Sequence, residues 1–140
     1  MTATVKRFAR IARARHIQHQ MASARVAIAK RHAHQLSDNE AVIEAMHDSL
    51  AMVPAVYPSS AIARTLELQN RLDAAADILR QSIAEAEREI AKLESARQKQ
   101  EIAEIAAAKL HRRSEHHAAE TLESLHTQSA GYRHTRKAVS

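Results

Sequence analysis

Cysteine and tryptophan are missing from the 140 residues; glycine and phenylalanine each occur once, and proline and tyrosine twice. Without cysteine there is no disulfide framework and no thiolate metal site. With so few large rings, a thick globular core has little to fill it. The single glycine lies near the C-terminus, so no glycine-rich loop is available to cradle a phosphate, and no serine or cysteine nucleophile signature appears. Enzymatic chemistry has no visible home, and no metal or other cofactor is expected. No stretch approaches the roughly 18 uncharged apolar residues that a membrane span needs, and the start has no apolar signal core. These absences predict a soluble chain.

What is abundant is alanine, which supplies 30 of the 63 hydrophobic residues and is the strongest helix former. Arg, Glu, Gln, Leu and Ile dominate the remainder, a composition suited to long helices that meet along a narrow apolar seam. The fold class is all-α. Both prolines fall in "AMVPAVYPSS", residues 51 to 60, a stretch without charge. Pro54 and Pro58 stand four apart, so neither a helix nor a central strand passes through, and a turn is expected over 54–59.

Before the turn, the pattern predicts one helix over about 4–53. Leu36, Asn39, Ile43, Met46, Leu50 and Val53 are spaced alternately by three and four. Upstream, Ile17, Met21, Ala24 and Ile28 keep the same rhythm, joined through His32 by an eleven-residue step. His32 is then a polar core residue that sets register. After the turn, Ser59 or Ser60 caps a helix over about 60–128 whose seam reads Leu72, Ala76, Leu79, Ile83, Ala86, Ile90 and Leu93. Ile102, Ile105 and Leu110 continue it less regularly, and Leu122 with Leu125 forms a last apolar patch. Gly131 is the expected stop, followed by a flexible basic tail within 129–140.

Two long helices with a short connection pack back on each other. The expected architecture is a single domain over 1–140, an antiparallel two-helix coiled-coil hairpin with unequal arms. Folding about residue 57 sets Asp48 near Arg64, Glu44 near Arg71, Arg25 near Glu89, Arg13 near Glu101 and Arg10 near Glu104. Such exposed pairs select register more than they stabilise. Charge is also divided along the chain. Residues 1–35 hold eight basic and no acidic residues, 36–78 hold two and seven, and 79–140 hold eleven and nine. The hairpin's open end is therefore basic and its tip acidic. The longer second helix leaves Leu110, Leu122 and Leu125 without an intramolecular partner, and self-association of such a hairpin is open.

Several constellations suggest sharper chemistry. Glu44 with His47, and Glu123 with His126, have the Glu-x-x-His spacing by which bundle helices hold a di-iron centre. Yet Ile43, Met46, Leu122 and Leu125 occupy the seam, so these carboxylates and imidazoles lie on solvated flanks. His16 with His19, and His111 with His116 and His117, read as surface histidines, with no carboxylate partner evident nearby. The basic, acid-free, amphipathic start has the profile of a mitochondrial targeting peptide, although its apolar positions run on into the seam. The same basic end could neutralise nucleic-acid phosphates, but stacking aromatics are nearly missing, so nucleic acid is not the expected partner. The alternative function is a coiled-coil scaffold that binds nucleic acid or another anionic surface through that end.

The opening "KRFARIARARHIQHQMASA" and the stretch "KLESARQKQEIAEIAAAKLHRR", residues 92 to 113, resemble the stalk proteins of flagellar and related type III protein export systems, the FliJ or YscO group. The resemblance covers nearly the whole chain and consists of length, turn position and texture. It implies a non-enzymatic central stalk that binds a hexameric export ATPase and couples it to an export gate protein, with secretion chaperones as further partners. The resemblance also implies a cytoplasmic protein that associates with the membrane only peripherally, through those partners. By analogy Arg7, Arg10 and Arg13, together with Leu110, Leu122 and Leu125, would enter the ATPase ring or touch the gate.

Overall fold

The computed structural model describes residues 2–52 and 58–139, with side chains described as far as Arg133. It is an all-α, antiparallel two-helix hairpin. Helix α1 spans Ala3–Ala51, 49 residues, and α2 spans Ser59–Val139, 81 residues. The expected turn falls largely on residues 53–57, which lie outside the described residues, as does the seam position Val53. At the head of α1, the Thr2 hydroxyl accepts a hydrogen bond from the Val5 amide at 3.3 Å and supplies the cap.

At the start of α2 the cap is not one of the serines. Ser59 and Ser60 are already helical, and the Pro58 carbonyl accepts from the amides of Ala61 at 2.9 Å and Ile62 at 3.2 Å. Proline costs nothing there, because its missing N–H would have had no helical acceptor. The expected end of α2 at 128 is also corrected: the helix runs through Gly131 to Val139, so 129–139 is helix and not a tail. Gly131 has no positive φ and therefore provides no left-handed stop. A glycine inside a helix costs about 1 kcal/mol relative to alanine, too little to end a helix whose next residues all tolerate the conformation.

The chain divides into two compact units, one made of Met1–Ala22 with Arg97–Ser140 and the other of Ser23–Ala96. In the second unit, the side of α2 that faces α1 is Leu72, Ala76, Leu79, Ile83, Ala86, Ile90 and Leu93, all buried or half-buried and all at the expected positions. On α1 the same unit buries Val26 and half-buries Ala29, Ala33, Leu36, Glu40, Ile43, His47 and Leu50, spaced alternately by three and four. Leu36, Ile43 and Leu50 are expected seam positions. Asn39 and Met46, also expected there, are exposed instead, and Glu40 and His47 take their places. Ile28, at 59% exposure, lies on the outside with Ala24 and His32.

In the first unit, Val5, Phe8, Ala12, His19 and Ala22 face inward from α1, on the same heptad phase that the other unit shows. Ile17 and Met21, at 48% and 53% exposure, are again on the outside. The phase of α1 thus holds from Val5 to Leu50 without an eleven-residue step. From α2 the first unit buries or half-buries Arg97, Gln100, Glu104, Ala107, His111, Ser114 and Ala118, whereas Ile102, Ile105 and Leu110 are exposed. Its interior is built mainly of small and polar side chains.

The register differs from the expected one as well. Facing positions on α1 and α2 sum to 120 for Glu40 with Arg80, His47 with Asp73, and His16 with Glu104, and to 124 for Lys30 with Glu94. Folding about residue 57 predicted 114. The five expected pairs do not form: Arg71 bonds Glu67 on its own helix at 2.7 Å, and Glu101 meets Arg97 at 3.6 Å. The expected fold point rests on the prolines and on those charge pairs, and the observed sums place it about three to five residues further on. Moving the inward face on to Glu40 and His47 gives each polar core group a partner across the seam, since Arg80 reaches Glu40 at 3.2 Å and Asp73 reaches His47 at 3.1 Å. A half-buried carboxylate is stabilised by such a partner, and a polar pair at the seam specifies register.

Candidate interaction surfaces

Three features of the unit formed by Met1–Ala22 and Arg97–Ser140 bear on function. The first is a clasp. Heptad spacing brings His19 inward and His16 to the edge of the seam, one turn apart on α1, and Glu104 comes between them from α2. Its two carboxylate oxygens each lie 2.5 Å from an imidazole Nδ1, Oε1 from His16 and Oε2 from His19. The histidines therefore have the carboxylate partner that the sequence did not reveal. The signal was hidden because the assumed register gave Glu104 to Arg10.

The hydrogen bond from His16 is the main reason that the Glu104 carboxyl lies below its ordinary value of 4.5, and the His19 bond and the nearby positive charge act in the same direction, against partial desolvation. A carboxyl whose folded pKa is depressed contributes stability above its unfolded pKa and loses it as pH falls through the folded one. Wild-type protein is therefore expected to lose stability as pH drops below about 4.5, more steeply than the Glu104→Gln variant. Urea midpoints measured from pH 6 to pH 3 check this, and parallel profiles would refute it.

Polar atoms near the clasp are incompletely satisfied. His19 Nε2, Gln100 Oε1 and His111 Nδ1 are buried without a hydrogen-bond partner, while His111 Nε2 lies 3.3 Å from Glu115. Each such atom costs free energy that an apolar seam would not. Among the described residues no group of three histidine, cysteine, aspartate or glutamate side chains could hold a metal ion. His116 reaches Glu120 at 3.2 Å along its own helix, and Glu123 and His126 are both exposed. In the other unit His47 bonds Asp73, not the Glu44 with which it shares the motif.

The second feature is the group Arg7, Arg10 and Arg13, all exposed; Arg7 and Arg10 line a shallow depression with Ala3, Lys6 and Ile11. Among the described residues no acid forms an ion pair with any of the three, because Glu104 is taken by the histidines and Glu101 by Arg97. The expected internal neutralisation of Arg10 and Arg13 is thus absent, and their charge faces solvent. The third feature is the end of α2. Ala118 is half-buried, and every residue from 119 to 133 is exposed. Leu122 and Leu125 are exposed at 68% and 58%. Leu110 is different: in this unit's register it stands level with Arg10, beside the seam and not past the start of α1.

No family model matches this chain, and neither a curated protein nor a solved structure matches it. Among the described residues no helix is long and apolar enough to cross a membrane.

Proposed function

We propose that the chain is a non-enzymatic component of a flagellar or related type III protein export apparatus, a stalk that binds a hexameric ATPase and couples it to the export gate. The observation that supports this reading most is the end of α2, where Leu122 and Leu125 stand exposed beyond the start of α1. Exposed leucines on a charged helix are a surface for a partner, and an amphipathic helix end can dock into a groove or a ring of subunits. Arg7, Arg10 and Arg13 in the same unit, without internal acidic partners, add positive charge that steers association with an acidic surface. Secretion chaperones would be further partners in this reading.

The test is turnover of a cognate hexameric export ATPase titrated with the purified chain. Saturable stimulation is expected. A Leu122→Asp/Leu125→Asp variant should weaken it about tenfold, equivalent to about 1.4 kcal/mol. No change in turnover over a wide concentration range would overturn the proposal. Retention of DNA that falls steeply with salt, without any effect on the ATPase, would replace it by the anionic-surface reading carried by the three arginines.

A further inference from the structure

Residues 1–22, the α1 part of the unit that contains the clasp, include no aspartate or glutamate. An ion pair that crosses this unit must therefore take its carboxylate from α2. Glu101, Glu115 and Glu120 bond Arg97, His111 and His116 along their own helix, and Glu123 is exposed beyond the start of α1. Among the described residues Glu104 alone reaches across, and both of its partners are imidazoles. The unit Ser23–Ala96 differs: Lys30 with Glu94 and Arg80 with Glu40 cross it. Lysine and arginine stay charged at neutral pH, where histidine does not.

We infer that His16 is a pH-operated latch on the register of the first unit: charged, it ties α1 firmly to Glu104, and neutral, it holds α2 more loosely. Burial separates the two imidazoles. The His16 side chain is 55% exposed, so water can solvate the second ring nitrogen and a charge there costs little. The His19 side chain is 23% exposed and its Nε2 is buried without a partner, so a proton added there would find no acceptor. His19 thus serves as a neutral donor from Nδ1, while His16 takes up and releases the proton on Nε2. A hydrogen bond from an imidazolium to a carboxylate is roughly twice as strong as one from the neutral ring.

Near the clasp α1 presents Arg13 and Arg15, and α2 presents Arg97, Glu101, Lys109 and His111. Of these only His111 belongs to the side-chain type that titrates between about pH 5 and 8, and it is bonded to Glu115, on the far side from Glu104. Arg13 and Arg15 are exposed and their repulsion is screened by water, whereas Glu104 touches the His16 ring. Protonation of His16 strengthens a contact that only the folded unit makes. Its contribution is present below the ordinary imidazole range, about pH 6.5, and fades as pH rises through it. On the acid side it ends where Glu104 itself takes a proton, below 4.5. The latch includes neither Arg7, Arg10 and Arg13 nor Leu122 and Leu125, and its test needs no partner, so it stands or falls separately from the export reading.

Amide exchange of the full-length protein over residues 12–22 and 100–107, corrected for the intrinsic effect of pH, provides that test. Protection is expected to be about fivefold higher at pH 5.5 than at pH 8, and the response should vanish in His16→Gln and in Glu104→Gln. His19→Gln should lower protection at both pH values and keep their ratio. His16→Lys, charged throughout, should hold the protein at pH 8 near the level seen at pH 5.5. Circular dichroism checks that each variant keeps its helices. Equal protection of the wild type at the two pH values, a response that survives in His16→Gln, or one that is lost in His19→Gln would each overturn the inference.

Discussion

Val26→Asp is expected to destabilise the unit Ser23–Ala96 by about 3 kcal/mol, the largest effect of any single substitution we predict. Val26 is 5% exposed and sits on the inward stripe of α1 between Ala22 and Ala29. A carboxylate on one methylene cannot reach water from there, as the long stem of a lysine could. Arg25, its neighbour in the chain, is exposed and off the seam, and Lys30, one helical turn on, has its ammonium already 2.9 Å from Glu94. The new charge would therefore be buried without a partner and near another acid. Folded domains have a net stability of only about 5 to 15 kcal/mol, so a two-helix seam should feel this strongly. Ala27→Asp, one residue away on the exposed face, should shift stability by less than about 0.5 kcal/mol. Urea denaturation followed by circular dichroism separates the two; similar midpoints would mean that the inward face of α1 is wrongly assigned.

Ala107→Phe is the second large effect, about 2 kcal/mol of destabilisation in the other unit. Ala107 is 6% exposed, on the seam one turn from Glu104. A ring placed there must push the helices apart or force an unfavourable rotamer. Separation would also stretch the two short contacts from His16 and His19 to Glu104. Ala106→Phe, on the exposed face, is the matched control and should be nearly neutral. Amide exchange over residues 97–118 reports the difference locally, and equal protection in both variants would show that the seam has room to spare.

How much the sequence disclosed depended on the size of the residues that carried the pattern. On α2 the stretch Leu72 to Leu93 was legible because leucine and isoleucine occupy the inward positions and little else of that size competes within the period. On α1 two stripes compete. The inward one is Val5, Ala12, His19, Val26, Ala29 and Ala33, and the outward one contains Ile17, Met21, Ile28 and Val42. Reading by side-chain size selects the outward stripe. The physical answer runs the other way, since helices that pack on alanine approach closely and leave no space for Met21 or Ile28. The residue-57 fold point has a separate origin, the prolines and the charge pairs themselves, so those pairs are no independent check on it.

The same dependence decides what could be read of the candidate surfaces. That Leu122 and Leu125 are exposed follows from α2 extending past the start of α1, which unequal helix lengths already imply. The carboxylate between His16 and His19 was out of reach, because two residues 85 or more apart in sequence meet only when register is known to within one turn. Gly131 misled for a different reason: glycine ends a helix when it adopts positive φ, and sequence alone does not say whether it will.

Glu104 also bears on how this unit can move under load. A carboxylate gripped from two successive turns of the opposite helix is fixed both along the axis and around it. Sliding α2 by one heptad toward the N-terminus of α1 would exchange both imidazoles for Ala9 and Ala12 and lose the two-point grip. Torque or thrust delivered to either strand should thus be handed on by the pair turning together, as a keyed shaft transmits rotation, and not by slippage between its two halves.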